Sequence, residues 1–292
     1  MEKLQIHKPI RLIELFAGIG SQAMALRNIG ANFERYLISE WQVQAFASYK
    51  AIHFAEDKKD YSKEIATEKL SGVLYNFGIS ANGKSQMTLK QIERKPESWK
   101  RETYNNIIAT NNIVNVMNAK GKDLKIKNTD EYTYILTYSF PCQDLSVAGK
   151  MAGMDRETGT RSGLLWEVER LLREVEELPQ VLLMENVPQV MQRKNMQNFL
   201  EWKQFLEEKG YRNYAKILNA KDFGIPQNRQ RAFMVSVLGN YKYEFPEPVE
   251  LKMRAEDLLE KVVEESFYIN TEKAKEMIVE LVESGRLKEN DM

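Results

Sequence analysis

Short apolar runs alternate with longer amphipathic patterns along most of the chain. The apolar runs predict strands over 10–16, 36–38, 134–140, 181–184 and 232–238. The patterns between them predict helices over 22–28, 164–177 and 196–209, the first of them capped by Ser21. Strands that alternate with helices form a parallel sheet covered on both faces. The sequence therefore predicts an α/β fold with a doubly wound, mostly parallel sheet.

Two segments depart from this alternation. Residues 56–127 are polar, are predicted to be mostly helical with a turn at Asn82-Gly83, and carry 14 Lys or Arg against 9 Asp or Glu. We interpret them as a solvated basic insertion, with contact to a nucleic-acid backbone as the alternative. Residues 244–292 carry 7 basic and 14 acidic side chains, and the pattern after Lys252 predicts helix. The predicted domains are therefore 1–243, which includes the insertion, and an acidic helical segment over 244–292.

Composition narrows the class of protein. The 42 basic and 42 acidic residues balance, so total charge gives no sign of nucleic-acid binding. No run approaches the ~20 apolar residues of a membrane span, and the start is not a signal peptide. A single cysteine excludes an internal disulfide and a cysteine-rich metal site, so we expect no metal and a cytoplasmic location. His7 and His53 lie away from the motifs below, which disfavours a Cys/His hydrolase.

A glycine-containing turn follows the first predicted strand. The string Phe16-Ala17-Gly18-Ile19-Gly20 places a tight turn between a strand and a helix, where a nucleotide can approach the backbone. Glu40 ends the next strand, where a carboxylate can accept hydrogen bonds from ribose hydroxyls. Trp41 could then cover an adenine ring. These features together favour an adenosyl cofactor.

Reactive side chains follow three later strands. Cys142 comes after Pro141, which ends a strand and puts the thiol on a loop; the alternative is a small buried apolar residue. Glu185 lies at the carboxyl end of a central strand, either in a binding site or at a helix entry. Arg229 and Arg231 stand two apart on the last strand and suit oxygen atoms of a ligand, although surface ion pairs are the usual role.

Four motifs, in this order and approximate spacing, resemble the DNA (cytosine-5)-methyltransferases. They are Glu14-Leu15-Phe16-Ala17-Gly18-Ile19-Gly20, Phe140-Pro141-Cys142-Gln143, Glu185-Asn186-Val187 and Gln227-x-Arg229-x-Arg231. The resemblance implies a Rossmann-like methyltransferase sheet, S-adenosylmethionine as methyl donor with S-adenosylhomocysteine as product, and duplex DNA as partner. It also implies that the target cytosine is flipped out of the helix.

The resemblance implies catalytic roles for four residues. Cys142 would add to C6 of the cytosine, Glu185 would bind the N3/N4 edge, and Arg231 would contact O2. Arg229 would brace the cysteine loop. The loop 144–162, which includes Ser146, Gly149 and Gly153, would close over the DNA.

The resemblance also implies a set of cofactor contacts. The turn from Phe16 through Ala17 and Gly18 to Gly20 would line the methionine and adenosine, and Glu40 would bind the ribose. The expected contacts to adenine and the remaining wall are made by Trp41, Asp123, Leu124, Pro141 and Leu165.

The chain departs from the family pattern after the last predicted strand. The family continues there with a target-recognition domain, whereas residues 244–292 are few and acidic. We therefore expect a catalytic lobe whose recognition region lies in a longer protein or in a second subunit. Three other functions stay open: methylation of cytosine in RNA such as tRNA, a non-catalytic regulatory or binding subunit, and a nicotinamide-dependent oxidoreductase, which leaves the cysteine loop unexplained.

Overall fold

A computed structural model describes residues 2–141, 154 and 161–286. Its strands are β1 (Glu2–Lys3), β2 (Ile10–Leu15), β3 (Phe33–Ser39), β4 (Thr133–Tyr138), β5 (Val181–Asn186), β6 (Tyr211–Asn219), β7 (Gln230–Leu238) and β8 (Tyr241–Lys242). Six of the described strands form one sheet in the order β3-β2-β4-β5-β7-β6, and β1 pairs with β8. Strands β2 to β5 are parallel, while β7 runs antiparallel to both of its neighbours. The predicted α/β fold with a mostly parallel sheet is confirmed.

Helices cover both faces of this sheet. The helices before β7 are α1 (Ser21–Asn28), α2 (Val43–His53), α3 (Thr67–Phe77), α4 (Leu89–Glu93), α5 (Glu97–Ala109), α6 (Leu165–Glu174) and α7 (Met196–Glu208), and α8 (Glu272–Glu283) follows the sheet with no buried residue. Successive side chains of a strand point to opposite faces. Accordingly, Leu37 packs in the core that contains α6 and α7, whereas its neighbour Ile38 packs in the core that contains α2 to α5. The sheet is therefore doubly wound.

The start of α1 differs from the prediction. Ser21 is the first helical residue and not its cap; the preceding Gly20 is left-handed and makes no side-chain cap. A carboxylate from the neighbouring strand does the capping instead, because Glu14 Oε1 accepts a 3.2 Å hydrogen bond from the amide of Ala23. Since the cap comes from another element, the local sequence does not identify it.

The segment 56–127 is helical, but it is not a solvated appendage. Helix α5 packs against α2 and α3, and Leu70, Leu74 and Ile107 are almost fully buried between them. The segment thus forms a hydrophobic core together with α2. Because the outer face of the segment is polar, its composition does not reveal the apolar face that is buried.

The regions after α7 depart furthest from the sequence pattern. Strand β6 was not predicted, because its alternation is irregular along the edge of the sheet. The predicted helix after Lys252 is limited to α8, preceded by two short 3-10 turns over Ala255–Leu258 and Glu265–Phe267. A long, apolar helix of the kind that spans membranes does not occur in the part of the chain that the structure describes.

Candidate active site

The turn between β2 and α1 requires unusual backbone angles. Phe16, Gly18 and Gly20 all have positive φ, at 58°, 57° and 86°. At Gly20 a Cβ atom would lie 2.6 Å from Cε2 of Tyr49 and still closer to Nε2 of His53. Only glycine combines this angle with such close packing. The amide of Gly18 donates a 2.9 Å hydrogen bond to Glu40 Oε2, which ties the turn to the end of β3.

A buried polar group supports this turn from below. Glu14, 1% exposed, accepts a 2.6 Å hydrogen bond from the Tyr49 hydroxyl through Oε2. Burial raises the pKa of Glu14 to about 7, and the hydrogen bonds from Tyr49 and Ala23 only partly offset it. His53 Nε2 donates to the carbonyl of Ile19 at 3.0 Å, and burial lowers the pKa of this imidazole. His53 is distant from the motifs in the sequence, but it is buried against the glycine turn in the structure.

A cavity of about 640 Å³ opens between the turn and the carboxyl ends of β3 and β4. Four of the predicted cofactor residues line it: Phe16, Glu40, Trp41 and Pro141. Ala17, Gly18 and Gly20 shape the turn beside the cavity without lining it. The other lining residues come from five segments: Ser39 and Gln42; Asn82 to Lys84; Val114 to Met117; Ser139; and Gly163, Leu164 and Glu167.

Glu40 is held at the cavity wall by backbone amides and by one asparagine. Its Oε1 accepts a 2.8 Å hydrogen bond from the amide of Gln42. Asn112 accepts from the Glu40 amide at 3.0 Å and donates to the Glu40 carbonyl at 2.9 Å. Burial raises the pKa of Glu40, while the bonded amides of Gln42 and Gly18 lower it. Asn112 also accepts from the amide of Val114, a β-branched residue at φ 61°, so the wall carries backbone strain.

Three residues predicted to contact the cofactor do not line this cavity, and their contacts stay predictions. Leu124 and Leu165 are fully buried in the core, and the preceding Leu164 lines the cavity instead. Asp123 accepts a 2.8 Å hydrogen bond from the amide of Lys120, so it caps a 3-10 turn outside this cavity. Asp123 and Leu124 were placed from a loosely matched motif. Asn112 and Val114 are instead brought to the wall by an isolated bridge between Asn112 and β3.

The carboxyl end of β5 carries the second half of the site. Glu185 Oε1 and Arg231 Nε form an ion pair at 3.0 Å, with side chains 23% and 22% exposed. Strands β5 and β7 are antiparallel, and Asn186 lies opposite Ala232. Glu185 and Arg231 each directly precede one member of this pair, so their side chains are diagonal neighbours on one face of the sheet. Asn186 is buried and donates a 2.9 Å hydrogen bond to the carbonyl of Phe140. The end of β5 therefore fixes the backbone that leads toward residue 142.

Arg229 is not assembled in this way. Arg229 precedes β7 instead of lying on it; its backbone bonds Asn219 and Ala220, and its side chain is exposed. Cys142 and Ser146, Gly149 and Gly153 of the following loop lie outside the described residues.

A family model agrees with this architecture. The model of the C-5 cytosine-specific DNA methylases matches residues 10–77 and 76–291. The chain belongs to this family.

Individual cytosine-specific methylases are similar over most of the chain. The orphan methyltransferase M.SssI of Spiroplasma monobiae is 39% identical over 267 residues, which are 90% of this chain and 68% of M.SssI. The Type II methyltransferase M2.ScrFI of Lactococcus lactis subsp. cremoris is 35% identical over 265 residues, which are 89% of this chain and 70% of that protein. The chain thus spans about two thirds of the length of these relatives.

A solved structure supports the fold. The S. pombe Dnmt2 methyltransferase matches with a TM-score of 0.56 and 19% identity, over 91% of this chain and 64% of the other. The two proteins therefore share this fold at low sequence identity. The suggestion of a nicotinamide-dependent oxidoreductase is not supported.

Proposed function

We propose that this methylase transfers a methyl group from S-adenosylmethionine to C5 of a flipped-out cytosine in duplex DNA. The observation that carries the proposal is the Glu185–Arg231 pair at the carboxyl edge of the sheet, joined through Asn186 to the backbone before Cys142. A carboxylate and a guanidinium held together in this way match the two polar edges of a cytosine. The base must leave the duplex to reach them.

The cavity fits the proposed cofactor. It joins a carboxylate at Glu40 to an aromatic side chain at Trp41 and to a strained turn at Phe16, within a volume that holds a nucleoside with its amino-acid chain. In this arrangement Glu40 accepts hydrogen bonds from ribose hydroxyls, and Trp41 contacts adenine. When bound, S-adenosylmethionine supplies the methyl group as an electrophile.

The chain's own residues activate the base. C5 of cytosine is too weak a nucleophile, so the Cys142 thiolate first adds to C6 and removes the aromaticity of the ring. Glu185 donates a proton to N3, which accepts the electron pair displaced by this addition. Arg231 contacts O2 and keeps Glu185 aligned. After methyl transfer to C5, a base removes the C5 proton, the thiolate leaves C6, and N3 returns its proton to Glu185, which restores the aromaticity of the ring.

We further propose that target recognition comes from a longer form of the protein or from a second subunit. In residues 244–286 many large apolar side chains are exposed, among them Leu259, Val262, Phe267 and Ile269. Exposed apolar groups at this density suit a protein interface. In the absence of the recognition region we expect little sequence-specific methylation.

Methyl transfer to duplex DNA and to tRNA tests the proposal. The chain with labelled S-adenosylmethionine should place label on cytosine C5 of DNA, slowly and at many sites, and the Glu185→Gln variant should lose this activity. Transfer to tRNA in preference to DNA would establish the RNA alternative. Rapid methylation of one defined duplex site by the chain alone would refute the need for a recognition region.

A further inference from the structure

The insertion contributes a compact loop to the cofactor cavity. Residues 79–87, here called the 79–87 loop, begin and end on the buried side chains of Ile79 and Met87, whose backbones are joined by a 2.8 Å hydrogen bond. Between them Asn82, Gly83 and Lys84 reach the cavity lining. The loop is therefore anchored in the core at its base and borders the cavity at its tip.

Side chains within the loop fix its shape. The fully buried Ser80 hydroxyl donates to the carbonyl of Ser85 at 2.6 Å and accepts from the amide of Gly83 at 3.0 Å. Asn82 Oδ1 accepts from the amides of Lys84 and Ser85 at 2.8 and 3.1 Å. The position of the Lys84 backbone is consequently set before any ligand binds.

The 79–87 loop is also hydrogen-bonded to the neighbouring segment of the cavity wall. The amide of Ser80 donates to the carbonyl of Trp41 at 2.8 Å, and the amide of Val43 donates to the carbonyl of Ser80 at 2.9 Å. At Gly83, with φ at 66°, a Cβ atom would lie 3.2 Å from Gln42 Oε1. The loop tip thus lies directly against the segment that carries Glu40 and Trp41.

Lys84 differs from the other charged residues of the lining. Glu40 accepts two amide hydrogen bonds, and Glu167 pairs with Arg170 at 2.8 Å. Lys84 is exposed, and its ammonium group has no partner among residues 2–141, 154 and 161–286. Among the described residues, the wall therefore presents one cation whose three donors are available to a ligand.

We propose that Lys84 donates a hydrogen bond to the adenosine half of the cofactor. This inference rests on the proposed function, which places the adenosine against Trp41 and Glu40. The ring nitrogens and ribose oxygens of adenosine are acceptors that match an ammonium donor. The methionine carboxylate belongs to the other half of the molecule.

Binding measurements with S-adenosylhomocysteine and with free adenosine test the role of Lys84. The Lys84→Ala variant should bind both ligands about tenfold more weakly than the unaltered chain, as expected for one hydrogen bond from a charged donor at a solvent-exposed wall. Lys84→Arg should restore most of the affinity. Lys90→Ala is the matched control, because Lys90 is an exposed lysine of the same insertion that does not line the cavity.

Each other result contradicts the inference in a different way. Weaker binding of S-adenosylhomocysteine without weaker binding of adenosine would assign Lys84 to the carboxylate. Unchanged affinity for both ligands, with weaker and less salt-dependent DNA binding, would assign it to a phosphate. If the unaltered chain binds neither ligand, the proposed function itself fails.

Discussion

The buried carboxyl of Glu14 makes the stability of the methylase depend on pH. Both of its oxygens accept hydrogen bonds inside the protein, from Ala23 and Tyr49, and burial raises its pKa from 4.5 to about 7. A carboxyl with a raised pKa in the folded state stabilises the fold at low pH. This contribution to the unfolding free energy is fully present below about pH 4.5 and is lost as the pH rises through about 7.

The expected size follows from the two pKa values. Each tenfold change in proton affinity corresponds to about 1.4 kcal/mol, so the full loss is roughly 3 kcal/mol, and about 2.5 kcal/mol of it falls between pH 5 and pH 8. The Glu14→Gln variant stays neutral throughout. Its amide oxygen can accept from Ala23, and its amino group can donate to the Tyr49 oxygen. From pH 5 to pH 8, the unfolding free energy of the variant should therefore rise by about 2.5 kcal/mol relative to that of the unaltered chain.

Urea unfolding at pH 5, 6, 7 and 8 measures this difference directly. Other titrating groups are common to both proteins and cancel in the comparison. Glu64→Gln serves as the control, because Glu64 is exposed and its replacement should leave the difference constant with pH. A constant difference for Glu14→Gln as well, or one that favours the unaltered chain as the pH rises, would refute the reasoning.

Three further substitutions test the site. Gly20→Ala should lower the unfolding free energy by about 2–4 kcal/mol in urea and weaken S-adenosylhomocysteine binding, because its Cβ would overlap Tyr49 and His53; near-normal stability would contradict the close packing. Arg231→Ala should lower kcat about 100-fold in methyl-transfer assays, since Glu185 loses its partner; unchanged kcat would remove Arg231 from the mechanism. Asn186→Ala should cost about 1–3 kcal/mol in urea by leaving the Phe140 carbonyl unpaired; no loss would mean that the carbonyl finds another donor.

The sheet was largely predictable because its buried strands are short apolar runs. Val181 to Met184 and Ala232 to Leu238 were identified in this way, and the structure extends both strands to include Glu185 and Arg231. Strand β6 was missed because an edge strand needs no regular alternation. The amphipathic periods of α6 and α7 likewise gave their positions to within a few residues.

The cofactor cavity was less predictable because its walls are assembled from distant segments. Glu40 and Trp41 follow a strand and could be recognised locally, whereas Asn112 acts only through its contact with Glu40. Leu165 and Leu164 differ by one position, and the helical period decides which of them is buried. The support of the Gly20 turn by His53 depends on the packing of α2, which no local pattern indicates.

Covalent trapping tests the central claim most directly. Duplex DNA in which 5-fluorocytosine replaces every cytosine is incubated with the chain and S-adenosylmethionine, and protein–DNA adducts are separated under denaturing conditions. The fluorine cannot leave as a proton does, so the bond between Cys142 and C6 persists, and even a slow reaction accumulates whatever site is chosen. We predict an adduct that requires S-adenosylmethionine and is absent with Cys142→Ser. No adduct with the unaltered chain, or an equal adduct with Cys142→Ser, would contradict the account.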